Sequence, residues 1–194
     1  MATAPDPVSC FPVPASSEVP DDIRERMLAV QEKAGFVPNV FLALAHRPAE
    51  FRAFFAYHDA LMEKETGSLT KADREMIVVA ISAANQCQYC VVAHGAILRI
   101  RAKDPTISEL VGANWRKADN VTPKQKAMLA FALKVAQEAH LVSEADRQAL
   151  RDAGFDEEEI WDIAAIAAFF SMSNRLANAT ELRPNREFHA MGRG

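Results

Sequence analysis

Within EMIVVAISAANQCQYCVVAHGA a carboxylate, two thiols and an imidazole lie close together, in the order Glu75-x11-Cys87-x2-Cys90-x3-His94. These are the groups that thiol-based peroxide chemistry requires. On one helix, Cys87, Cys90 and His94 fall on a single narrow stripe at about 100° per residue. Glu75 cannot join them on an unbroken helix, because the twelve residues to Cys87 would separate the two by roughly 18 Å along the axis. The chain is therefore expected to turn at Asn85-Gln86, so that an antiparallel helical hairpin sets Glu75 level with His94. A dithiol at a helix start faces unpaired backbone N–H groups and the positive end of the helix dipole, which favour the thiolate. If Cys90 attacks a peroxide oxygen it becomes a sulfenic acid, and Cys87 one turn away can condense with it to a disulfide. His94, oriented by Glu75, can move the protons.

The elements that must hold these groups read as all-α, with no alternating strand pattern bounded by tight-turn pairs. Asp21 or Asp22 is expected to cap a first helix ending at Gly35, and Val37-Pro38-Asn39 leads into a short helix ending near His46. Pro48 starts a third, whose Phe51, Phe54, Phe55, His58 and Leu61/Met62 make one aromatic face, closed before Gly67. Thr70-x-x-Asp73 starts the helix of Glu75, and the next runs from about Cys87 to Arg101. Thr106-x-x-Glu109 and Thr122-Pro123-x-Gln125 read as two more capping boxes. Ser143 opens a helix closed by Gly154. Asp156 opens a last one to about Ala179, whose IAAIAAFF centre is apolar nearly all round and is expected to be central or at a subunit contact. Glu159-x11-Ser171-x2-Asn174-x3-Asn178 echoes the reactive spacing with polar residues; related halves and chance both account for it.

Composition narrows the class. The 194 residues, 49% hydrophobic and 25% charged, suffice for one domain with a sizeable core. A net charge of −4 without any basic stripe speaks against nucleic acid. The leader MATAPDPVSCFPVPA lacks the pattern of a secretory signal, no segment has membrane-spanning length, and three cysteines do not make a disulfide scaffold. A cytoplasmic protein without membrane association is expected. Its parts are an extended proline-rich segment over 1–19, a single helical domain over 20–182 and a C-terminal tail over 183–194. Cys10 reads as a mobile surface thiol, and His46, His58, His140 and His189 as helix-end or surface histidines. Phe54, Phe55 and Tyr57 are core residues before they are a pocket for an organic peroxide. For Trp115 and Trp161 only packing is argued.

The segment ADREMIVVAISAANQCQYCVVAH, carrying Glu75, Cys87, Cys90 and His94, resembles the signature of the alkylhydroperoxidase D / carboxymuconolactone decarboxylase superfamily, and within it the peroxidase-related proteins that keep a CxxC pair. The resemblance extends through VPNVFLALAHRPAEFRAFF upstream and FFSMSNRLANA downstream, over residues 20 to 182. It implies an all-α, alkylhydroperoxidase D-like helical bundle that forms homo-oligomers, trimers or hexamers. It also implies a peroxidase whose Cys90 meets the hydroperoxide, whose Cys87 resolves, and whose Glu75 and His94 relay protons. No cofactor is implied; an external thiol reductant is, of lipoyl or thioredoxin-like type. The chain departs from the best-known alkylhydroperoxidase at Tyr89, where that enzyme carries a histidine. Three other readings use the same residues: a general thiol-disulfide oxidoreductase, a zinc-binding interaction module with two cysteines, a histidine and a glutamate as ligands, and a decarboxylase-type lyase. The last normally lacks the cysteine pair.

Overall fold

The computed structural model describes residues 7–194; the first six residues of the proline-rich leader lie outside them. Among the described residues there are nine α-helices and no strand, only one isolated bridge between Thr66 and Leu69. The helices are α1 (Asp21–Ala34), α2 (Asn39–Leu44), α3 (Pro48–Met62), α4 (Lys71–Ala84), α5 (Gln88–Ala102), α6 (Ile107–Asn114), α7 (Pro123–Glu138), α8 (Glu144–Asp152) and α9 (Glu157–Ala179). Their starts follow local chemistry. Thr70, Thr122 and Asp156 each accept the backbone N–H three residues on, and the side chains of Asp73, Gln125 and Glu159 return the bond. Pro48 and Pro123 stand in the first turn of their helices, where a missing N–H costs nothing. Gly35 and Gly154, with φ of 84° and 87°, close the ends expected of them.

Two expected starts differ. The first helix is preceded by Pro20, and Asp21 and Asp22 lie inside its first turn, where they complement the helix dipole without capping it. Thr106 makes no side-chain cap to α6: its hydroxyl donates to Asp104, and Glu109 is drawn off by Ser108 and Arg193. Stronger partners outside the box take both of its side chains.

The helix carrying Glu75 forms the centre. From Arg74 to Ser82 every residue of α4 is buried, with α5, α6, α7 and α9 packed around it. Ile77, Val78, Val79 and Ile81 have no exposed surface, and each contributes about 1.5–3 kcal/mol of burial. A second cluster joins Phe41, Phe51 and Phe55 of α2 and α3 to Ile23 of α1. A third surrounds the cysteines with Phe36, Tyr89, Ala93, Ala177 and Phe188. Phe54 and Phe55 are thus packed, as expected, while Tyr57 is half exposed and sets its ring edge against Phe169.

Residues 183–194, read as a tail, fold back onto α5. A 3-10 turn spans Arg186–His189 and buries Phe188, and Arg99 donates to the carbonyls of Phe188 and Met191. Cys10 is exposed, with its N–H bonded to Thr180 O at 2.9 Å. Among the described residues no helix is long and apolar enough to cross a membrane.

Candidate active site

The turn after α4 is made where the backbone leaves the helical conformation. Asn85 bonds back to Ile81 O, Gln86 takes the left-handed conformation at φ 53°, and the Cys87 N–H reaches Ser82 O at 2.9 Å. Cys87 then precedes α5 as its N-cap residue, and Cys90 lies in the first turn. Both thiols are free and buried. Each thiol's titration is set by the other and by the side chain of Asn174 on α9.

That arrangement makes the two sulfurs unequal. A hydrogen bond from Cys90 lowers the Cys87 pKa to about 7 against an ordinary 9.0, despite burial, with the Cys90 backbone, His94 and Asn174 acting in the same sense. Cys90 is pushed up, first by donating that bond and then by burial. Cys90 therefore holds its proton more firmly, and Cys87 is the readier of the two to ionise.

The hairpin delivers the acid-base couple as its spacing requires. His94 Nδ1 lies 2.8 Å from Glu75 Oε2, with Glu75 only 2 % exposed. The other Glu75 oxygen is 3.2 Å from Nη1 of Arg101, two turns after His94 on the same face of α5. A buried carboxylate with a donor on each oxygen is held firmly. With Nδ1–H given to Glu75, the free nitrogen of His94 is Nε2.

Further residues join from distant parts of the chain. His58, expected at a helix end or on the surface, lies inside α3 with its ring centroid 6.5 Å from that of His94. Phe170 is edge-on to both rings. Asn174, wholly buried, donates to Ser82 Oγ and accepts from Asn85. The polar echo of the reactive spacing is not folded as a hairpin, since Glu159 and Asn178 share the single helix α9. Its Asn174 nevertheless meets the cysteines. Spacing alone offered no signal for His58; for Arg101 it did, seven residues after His94. Tyr89 turns elsewhere: its buried hydroxyl accepts from the Val40 N–H at 3.3 Å, and burial raises its pKa.

A cleft of about 520 Å³ opens beside the start of α5, lined by Cys87, Val91, Val92, Arg99, Phe188 and Arg193. Along α5, Val91, Val92 and Arg99 turn away from the stripe of Cys90, His94 and Arg101, while Cys87 borders both. The cleft and the His94–Glu75 couple thus lie on different sides of the helix. Among the described residues no three histidine, cysteine or acidic side chains converge as metal ligands, and His94 and Glu75 bond to each other.

With this geometry in place, comparison with known proteins is informative. The family model of the carboxymuconolactone decarboxylase family matches residues 48–112, from α3 into α6. A solved structure from Ralstonia eutropha JMP134, described as an alkylhydroperoxidase AhpD core and an uncharacterised peroxidase-related protein, is 64% identical with a TM-score of 0.94, covering 97% of this chain and 98% of its own. A peroxidase-related protein from Silicibacter sp. TM1040 is 40% identical with a TM-score of 0.91 over the full length of both chains. The debrominase Bmp8, solved with 2,3,4-tribromopyrrole, shares the fold at 20% identity and a TM-score of 0.74 over 94% of each chain. No curated protein matches the chain.

Proposed function

The chain belongs to the carboxymuconolactone decarboxylase family, on its alkylhydroperoxidase D-like side, and from that membership we propose that it is a thiol-dependent peroxidase with an antioxidant role. It reduces hydroperoxides through a dithiol/disulfide cycle of Cys87 and Cys90. The observation that carries this reading is a pair of free, buried cysteines at a helix start, with a histidine–carboxylate couple one turn on.

In this reading Cys90 passes its proton along the sulfur–sulfur hydrogen bond to Cys87 and attacks the terminal peroxide oxygen. The O–O bond breaks, Cys90 becomes a sulfenic acid, and the alkoxide takes a proton that enters from solvent by way of Nε2 of His94. His94, held by Glu75, then receives the Cys87 proton. The Cys87 thiolate attacks the Cys90 sulfur, forming the disulfide as the sulfenic oxygen leaves with that proton as water. An external dithiol of lipoyl or thioredoxin-like type restores the pair, entering by the cleft beside Cys87. The subunits associate as homo-oligomers through the outer face of α9, where Trp161 is 73 % exposed and Met172 and Leu176 are also uncovered. Residues 20–182 act as one catalytic domain.

The test is steady-state consumption of an organic hydroperoxide with a dithiol as reductant. Cys90→Ser should abolish turnover, whereas Cys87→Ser should accumulate a sulfenic acid on Cys90 that dimedone traps. Identical behaviour of the two variants would contradict the assigned roles. A small disulfide that oxidises the pair faster than any hydroperoxide would favour thiol exchange instead.

A further inference from the structure

Two imidazoles face each other beside the dithiol, and each is tied to its own carboxylate. His94 on α5 binds Glu75 through Nδ1 at 2.8 Å. His58 on α3 binds Asp59 through Nδ1 at 3.1 Å, and Asp59 is held in turn by Arg26 of α1 at 2.8 Å. Both Nδ1 atoms are committed, so each ring has only Nε2 to offer. The centroids are 6.5 Å apart and the planes inclined at 44°, within the range over which water links polar groups that are not in direct contact. The surroundings are aromatic: Phe170 stands edge-on to both rings, and Phe169 and Phe55 lie against His58. The His94 side chain is 12 % exposed and that of His58 23 %. His58 is the outer of the two.

Proton counting gives this pair a task. A resting thiolate–thiol pair that reduces ROOH yields a disulfide, ROH and water only if one proton enters from outside. Reduction of that disulfide by an external dithiol returns the pair to thiolate and thiol and releases one proton. A proton must therefore go in and come out once per cycle, past a couple whose carboxylate is 2 % exposed. We propose that His58 is the outer member of the relay, carrying protons between solvent and the free nitrogen of His94. This inference rests on the dithiol peroxidase reading and extends it. The charged and titratable groups around His58 are Asp59 beside it, His94 on α5 and Glu75 on α4, while α9 presents Phe169 and Phe170. Burial holds its pKa below the ordinary 6.5, so it returns to the neutral form after each transfer. His58 acts through His94 and is a positioning residue for the proton, not a contact of the peroxide.

The experiment compares the full-length chain with His58→Gln, which keeps a side chain able to bond Asp59, and His58→Phe, which keeps the ring volume; circular dichroism checks the fold of each. Histidine-selective 15N NMR measures solvent exchange of the His94 ring N–H, and turnover of cumene hydroperoxide is followed in parallel. Both variants should slow the exchange and lower kcat roughly tenfold or more, with KM for the hydroperoxide unchanged. Added imidazole should restore His58→Ala in proportion to its concentration, which a purely structural role would not allow. Wild-type exchange rates for His94 in both His58→Gln and His58→Phe would overturn the inference. Should the wild-type protein consume no hydroperoxide, the peroxidase reading falls, while the His94 exchange rates still decide the role of His58.

Discussion

Cys87 and Cys90 are the same residue type three positions apart, yet their surroundings give them different protonation states. With Cys90 donating to it, Cys87 titrates near pH 7, so its alkylation by iodoacetamide should rise through about pH 7 and level off above it. Cys90→Ala removes the largest cause and should move that midpoint toward the ordinary 9.0, further than His94→Gln, which removes only a smaller coulombic contribution. The reverse order would show that charge at His94, and not the sulfur–sulfur bond, sets the thiolate. His94→Gln should also lower peroxide turnover by about a hundredfold through loss of general acid-base transfer, as a steady-state assay at fixed pH would measure. The grouping of Glu75, Cys87, Cys90 and His94 was legible in the sequence because their spacing is helical and local. His58 was not: a histidine amid phenylalanines on α3 reads as packing until α5 and α9 are placed against it.

The α4–α5 hairpin is the element that turns spacing into a site. Its turn depends on Gln86 at φ 53°, a conformation that a β-branched side chain resists. Gln86→Val should destabilise the protein by about 1–2 kcal/mol in urea unfolding, and Gln86→Gly should be neutral or stabilising. A valine variant of wild-type stability would mean that the turn is not fixed in this form. Most helix starts were readable from capping boxes and prolines, since these signals act within four residues. Thr106 misled because a capping box is only a competition for partners, and Asp104 and Arg193 win it here. The break at Asn85-Gln86 was legible for a different reason: no straight helix brings Glu75 to His94.

Across the whole molecule, two long-range constraints on the site run through α9. Arg74, next to Glu75 and wholly buried, pairs with Asp162 at 2.8 Å and also donates to Leu61 O and Thr66 Oγ1, fixing the loop before α4 to α9. Asp162→Ala leaves that guanidinium without its counter-charge and should cost about 3–5 kcal/mol in denaturant unfolding. A loss below about 1 kcal/mol would show that Arg74 finds other compensation. Along the same helix Asn174 closes the cysteine pocket, a contact no local pattern announces because its partners are 89 and 92 residues away in the chain. The outer face of α9 makes a prediction at this scale too: Trp161→Glu should shift the protein toward monomer in analytical ultracentrifugation, and an unchanged sedimentation coefficient would place the subunit contact elsewhere. Whether the two sulfurs join is read by intact-protein and peptide mass spectrometry after one equivalent of organic hydroperoxide. Loss of two hydrogens and a Cys87–Cys90 cross-link are expected; a dithiol left unchanged, or a stable oxygen adduct with no cross-link, would rule the cycle out.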